Sequence, residues 1–151
     1  MSPIAPPAPF ADLQRTLQYL LQDGLAGLPP EHAGGVRPTT ESLRLTLPFV
    51  LAFRFGGSND GITDTATIQV EVYASRYDQG APLAQAAQSL ICAAPHVVTV
   101  PVTDDVGAAT TKVLIDNAEV INAPVEMEFA DENVRRWVAT YRVQARRPVV
   151  R

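Results

Sequence analysis

Side chains with reach into catalysis are few in these 151 residues: two histidines, His32 and His96, one cysteine, Cys92, and sixteen carboxylates. One cysteine and two distant histidines match neither the C-x-x-C nor the H-E-x-x-H spacing of a zinc centre. No serine sits in a G-x-S-x-G turn, the strained elbow that exposes a hydrolase nucleophile. The glycine-rich run Gly56–Gly61 lacks the Lys-Ser/Thr and the following helix of a phosphate loop. Asn59, Asp60 and Asp64 do not follow calcium-loop spacing, and no bidentate glutamate follows them at the right place. Asp104 and Asp105 have the charge to hold a hard cation, yet read more simply as an acidic loop. His32, beside Gly34-Gly35, reads as a solvated loop residue, and His96, after Pro95, as strand-edge packing or a solvent-exposed side chain. Cys92 lies in an Ala/Leu/Ile-rich helical stretch and reads as a small buried apolar group. No catalytic, cofactor-binding or metal-ligating set emerges, and the expectation is a protein that is not an enzyme.

The elements that position these residues follow from periodicity. Residues 1–9 hold four prolines and predict an extended arm. Phe10, Leu13, Leu17, Leu20 and Leu21 recur at steps of three and four, predicting an amphipathic helix that begins after Pro9 and stops at Gly24. Residues 24–38 are Gly/Pro-rich and read as a loop. Leu43, Leu45 and Leu47 alternate with Arg44 and Thr46, which predicts a half-buried strand ending at Pro48. Phe49–Phe55 is nearly continuous apolar, as in a strand covered on both faces or a continuation of the preceding strand after a Pro-marked kink, and Gly56–Gly61 reads as a reversal. Ala66, Ile68, Val70, Val72 and Ala74 alternate with Thr65, Thr67, Gln69, Glu71 and Tyr73, sending the aliphatic set inward and the other outward.

The stretch Ala81–Ala94 predicts a second helix with Leu83, Ala86, Ala87, Leu90 and Ile91 on one side, ended by Pro95. A short β-type run, His96–Val102, leads into a polar loop, Thr103–Gly107. Val113–Ile121 reads as a strand. Val125–Phe129 and Val134–Ala145 read as a hairpin around a four-residue turn. In its last strand Trp137, Ala139, Tyr141, Val143 and Ala145 share the core face, while Arg136, Val138, Thr140, Arg142 and Gln144 share the other. The expected fold is α+β: a mainly antiparallel mixed sheet with two helices packed on one face and no second core. The domain plan is an arm at 1–9, a single domain at 10–147 and a tail at 148–151.

Apolar residues make up 46% and charged residues 19%, a globular balance. No apolar run reaches the roughly 20 residues needed to cross a bilayer, and the first residues lack a basic and apolar leader pattern. The chain is read as soluble, intracellular at synthesis and without a membrane partner. Its net charge of −4 argues against a general nucleic-acid binder. Six of the twelve basic residues nevertheless lie from Arg135 onward, and no acid follows Glu132. Trp137 and Tyr141 interleave with those arginines, but on the core face, unlike the exposed stacking platform of a single-strand binder.

The run Asn133–Val143 resembles the closing strand of tail terminator proteins from long, non-contractile-tailed phages, especially those of actinobacterial hosts. Asp64–Ala74 is similar to their central strand, Phe10–Leu25 resembles their opening helix, and Pro38–Gly57 fits the β-ribbon that follows. The likeness covers most of residues 10–147; it departs from the family around Pro95–Thr111, which is longer than usual. The resemblance implies a virion protein, assembled in the host cytoplasm, whose six copies form a ring on the last ring of tail-tube subunits. That ring stops tube growth and meets a head-completion (neck) protein, and DNA passes through its lumen without being read. Ring closure needs two unlike patches per subunit. The expected subunit or tube contacts are Arg135, Arg136, Arg142 and Arg146, with acidic counterparts at Asp64 and Glu71 or at Glu126, Glu128 and Glu132. The expected partner or lumen loops hold Gly57, Asn59 and Asp60, and Asp104 and Asp105. The alternatives are another neck component, such as a connector, or a small-ligand-binding domain with an apolar pocket between helices and sheet.

Overall fold

A computed structural model describes residues 3–4, 9–26, 28–104 and 107–147; of 102–104 and 107–108 it describes the backbone alone. Asp105 and the tail 148–151 therefore lie outside the described residues, as does the side chain of Asp104.

The first helix, α1, spans Leu13–Gly24. Asp12 caps it, its carboxylate accepting from the Arg15 N–H at 3.1 Å, and so satisfies one of the donors a helix start leaves free. Leu13, Leu17 and Leu21 bury the predicted stripe. A two-residue strand, β1 (Ala33–Gly34), then pairs parallel with β2 (Phe49–Asn59), so the predicted loop contains a sheet edge.

Between them the structure departs from the sequence reading. The alternation of Leu43, Leu45 and Leu47 is not a strand: Thr40–Leu45 forms a short helix, α2. Thr39 caps it, with Glu41 in the first turn. Only Leu43 is buried, whereas Leu45 is 84% exposed. A single buried side chain has no period, so the leucine spacing carried no strand information there. The Thr39–Glu41 start signal did carry information.

The strands β2, β3 (Thr63–Ala74), β7 (Arg135–Arg146) and β6 (Asn117–Met127) complete a five-stranded sheet in the order β1-β2-β3-β7-β6, antiparallel beyond the first pair. The β2–β3 reversal is tighter than Gly56–Gly61, because β2 runs on to Asn59. Asp60 accepts from the Ile62 and Thr63 N–H groups at 2.9 and 2.7 Å, and Gly61 takes φ +85°. The second long helix, α3, spans Tyr77–Cys92 and starts four residues before the predicted Ala81. It buries Gly80, Ala84, Ala87 and Ile91, while Ala86 faces out. Its first turn is held by tertiary contact: Gly80 lies flat against the Trp137 ring, where a Cβ would overlap the ring carbons. Propensity alone does not place that turn.

The polar loop predicted at Thr103–Gly107 is mostly strand. β4 (His96–Asp104) and β5 (Gly107–Ile115) form a separate two-stranded ribbon. The predicted strand Val113–Ile121 breaks at Asp116, where the chain passes from ribbon to sheet. Asp116 donates its N–H to the Gln144 carbonyl at 2.9 Å and accepts from the Arg146 N–H at 3.0 Å.

The fold is α+β. α1, α3 and the ribbon residues Val98, Val100, Val113 and Ile115 close the main core against Val50, Ala52, Ile68, Val70, Val72, Ala139, Tyr141 and Val143. A second, smaller core does exist. On the opposite face Leu43, Phe49, Leu51, Tyr73 and Val134 pack together, with Leu47, Phe53 and Phe129 at the margin. Tyr73 and Glu71 are therefore buried rather than outward, because α2 covers that end of the face.

Candidate interaction surfaces

β3 and β7 pair along their whole length, from Thr63 opposite Arg146 to Ala74 opposite Arg135. The arginines of β7 thereby fall beside carboxylates of neighbouring strands. Arg135 donates to Glu126 at 2.6 Å and Arg142 to Glu119 at 2.7 Å, both on β6. Arg146 lies 3.8 Å from Asp116. Arg136 pairs with Glu71, which also accepts from the Tyr73 hydroxyl at 3.1 Å. At the other end of β3, Arg54 makes a two-point contact with Asp64 at 2.8 and 2.9 Å.

The four arginines expected at a subunit or tube contact are thus each beside a carboxylate of their own chain. Asp64 and Glu71 are 3% exposed and face inward, so neither lies on an open patch. Arg135, Arg142 and Arg146 remain on the surface with their partners, as near-neutral pairs. Exposed pairs of this kind contribute little stability, about 0–1 kcal/mol each.

Gly57, Asn59 and Asp60 cluster at the far end of the β2–β3 hairpin and are exposed. Gly57 is required there: it holds φ +123°, and a Cβ would strike the Thr65 carbonyl oxygen. Backbone donors from Thr63 and Ile62 hold the Asp60 carboxyl below its ordinary pKa.

The two histidines are structural in their contacts. The His32 ring shares a hydrogen bond with the Pro48 carbonyl at 2.9 Å, and the His96 ring one with the Leu90 carbonyl at 2.7 Å. Cys92 is half-buried against the main core, and burial pushes its thiol pKa up, away from a thiolate. Among the described residues no group of three or more His, Cys, Asp or Glu is placed to hold a metal ion. The space between α3 and the sheet, lined by Val70, Val72, Ala84, Trp137, Ala139 and Tyr141, is too narrow to admit a water molecule. Ligand sites run to roughly 300–1,000 Å³. The Tyr141 hydroxyl points into the core with no hydrogen-bond partner among the described residues, and burial raises its pKa.

Sequence reasoning missed two surfaces. One is the outer edge of β6, where Val120, Ile121, Val125 and Met127 are all exposed beside Pro124. The other is a pair of adjoining hollows of about 390 and 470 Å³ that share Thr40 and Ala130, between the start of α2 and the β6–β7 turn. In the first, Arg44 donates to Asp131 at 2.6 Å, and this contact holds the carboxyl below its ordinary pKa. In the second, Arg37 lies 5.3 Å over the Phe129 ring. The leucine spacing carries no signal for the hollows; the one local clue is the Thr39–Glu41 helix start beside them. No known protein family and no curated protein matches this sequence.

Proposed function

We propose that this protein is a subunit of a ring that caps the tail tube of a long-tailed phage, stops tube growth and joins the tail to the neck proteins. The reading is structural and includes no catalytic step. Its partners are further copies of the chain, with six expected, the tube protein, and a head-completion protein. DNA crosses the lumen without sequence-specific binding, and the protein ends in the virion.

The observation that carries the reading is the placement of the two strands that resemble tail terminators. Within those two runs, Ala66–Ala74 and Arg135–Val143 lie side by side in the sheet, in unbroken antiparallel register. Two further features support it. The apolar side chains left uncovered along β6 suit a subunit that meets neighbours. The two edges of the sheet also differ in kind, as a head-to-tail contact between copies requires.

The test is tail length by electron microscopy after the gene is deleted from its phage or prophage. Overlong, headless tails are the expected result. Normal tails beside empty or leaking heads would move the protein to the head-completion side of the neck. Intact virions would end the reading.

A further inference from the structure

Residues 35–48 differ from the rest of the fold in how little holds them. They leave the sheet at β1 and return to it at β2, and the two ends are joined: Ala33 pairs with Val50 and Gly34 with Leu51. The His32 ring adds a tie at the same place, to the Pro48 carbonyl at 2.9 Å. The segment is a loop with a pinned base, the form of a compact surface loop whose ends lie close together.

Away from that base the attachments are sparse. α2 has 6 residues, well under the roughly 12–15 that an isolated helix needs to persist in water. Leu43 is the one residue of the segment that is fully buried. Val36 and Leu45 are 82% and 84% exposed, so two aliphatic side chains that would otherwise anchor it face solvent. Arg44 reaches Asp131, and Arg37 lies over the Phe129 ring and beside the Tyr73 hydroxyl. The two hollows form a groove between the start of α2 and the β6–β7 turn, so the segment and the turn are not packed flush.

We propose that residues 35–48 are a strap that lifts off the second core as a unit while the sheet and the main core stay folded, and that its release uncovers an apolar face on β2 and β3. Lifting breaks no rung of the five-stranded sheet, because β1 stays paired with β2 at the pinned base. It leaves no buried charge alone: Glu71 keeps Arg136 and the Tyr73 hydroxyl, and Asp131 keeps the Asn133 N–H at 3.0 Å. The main core contains no residue of the strap. Phe49, Leu51 and Tyr73, once uncovered, continue into Phe53 and Phe55, whose rings lie 6.5 Å apart and of which Phe55 is already exposed. Segments with so few buried apolar contacts open at a fraction of the free energy of global unfolding. The strap is thus a removable cover on a latent contact face, and the inference is independent of the ring reading.

The experiment is native-state hydrogen exchange of the full chain, with and without denaturant below the unfolding transition. The reporters are the Leu43 and Thr46 amides, bonded to the Thr39 and Leu43 carbonyls at 2.7 and 3.1 Å. Corrected for intrinsic rate, they should exchange at least about 100-fold faster than the Ile68 and Val70 amides of β3, and respond far less to denaturant. Equal protection and an equal denaturant response would make strap and sheet one unit and overturn the proposal. The uncovered face is read with Leu43→Asp, which places a charge at the anchor and favours the lifted form. That variant should still unfold cooperatively, and should bind the apolar dye anilinonaphthalene sulfonate at least about fivefold more strongly than wild type under native conditions. A folded Leu43→Asp that binds no more dye than wild type overturns the uncovered face. A Leu43→Asp that no longer folds overturns the separation of strap from sheet, since a lifted strap would carry the new charge into water.

Discussion

The two edges of the five-stranded sheet are finished in different ways. The β2 edge is covered by its own chain: β1 pairs with Val50 and Leu51, Gln18 donates to the Ala52 carbonyl at 3.1 Å, and Gln14 accepts from the Arg54 N–H at 2.8 Å. Further along, the Arg54 side chain donates to the Gly56 carbonyl at 3.0 Å. Among the described residues no element covers the β6 edge. It is instead interrupted by Pro124 and by register shifts at Val120/Asn122 and Asn122/Val125, with Glu119 and Glu126 along it. Proline, bulges and charge are the means by which edge strands avoid indiscriminate pairing. The difference teaches where contact is permitted. β2 offers few free backbone groups, whereas β6 keeps apolar side chains in solvent while its irregular backbone discourages simple strand addition.

The comparison breaks most severely if α1 is loosened, since that helix carries the two glutamines. Leu17, fully buried, anchors its middle. Leu17→Ala should cost about 2–5 kcal/mol in chemical denaturation. It should also raise hydrogen exchange at Ala52 and Arg54 ahead of β3 and β7. Uniform exchange across all strands would mean that α1 does not specifically guard that edge. Replacing Gln14 and Gln18 together by alanine isolates the guard from the packing. The expected loss is about 2 kcal/mol, from one satisfied backbone group at each position. A loss near zero would show that water satisfies those groups equally well.

Gly80→Ala probes the layer above β6 and β7. Adding a methyl against the Trp137 ring should cost about 1–3 kcal/mol, offset in part by the gain of about 1 kcal/mol for alanine over glycine in a helix. A net decrease in melting temperature is expected, and a net increase would mean that the helix can shift off the ring freely. The Arg44–Asp131 contact gives a pH effect at the turn where β6 joins β7. Because the folded Asp131 pKa is depressed, its stabilisation is present above the ordinary carboxylate pKa and is lost as pH falls through the folded value. Asp131→Asn should flatten the acid limb of a stability–pH curve, and an unchanged limb would assign the effect to other carboxylates.

Much of this frame was legible in residue order. The period of two in β3 and β7 and the leucine spacing in α1 report the face that meets the main core, because each element lays one long stripe against it. The α+β class follows from those elements together. Three things were not legible. α2 is too short to show a period and is fixed by Thr39 and one leucine. The first turn of α3 depends on the close approach of Gly80 to Trp137, a contact 57 residues away in sequence. The arginine-rich face of β7 read as free charge because its carboxylates, Glu71, Glu119 and Glu126, lie on strands whose register one sequence does not reveal. The groove beside α2 was hidden for the first of these reasons.

The smallest change in stability is expected at the open edge. Val125 is 60% exposed on β6 and faces solvent beside Pro124. Val125→Lys removes little buried area, so folding stability should move by no more than about 0.5 kcal/mol. If the edge meets another subunit, the same substitution places a charge in that contact. It should then reduce incorporation into capped tails far more than it changes the melting point. A variant that melts and assembles as wild type would show the β6 strip to be ordinary exposed surface. Equal loss of stability and assembly would show instead that Val125 belongs to the core of the fold, and that the β6 edge is less open than its exposure implies.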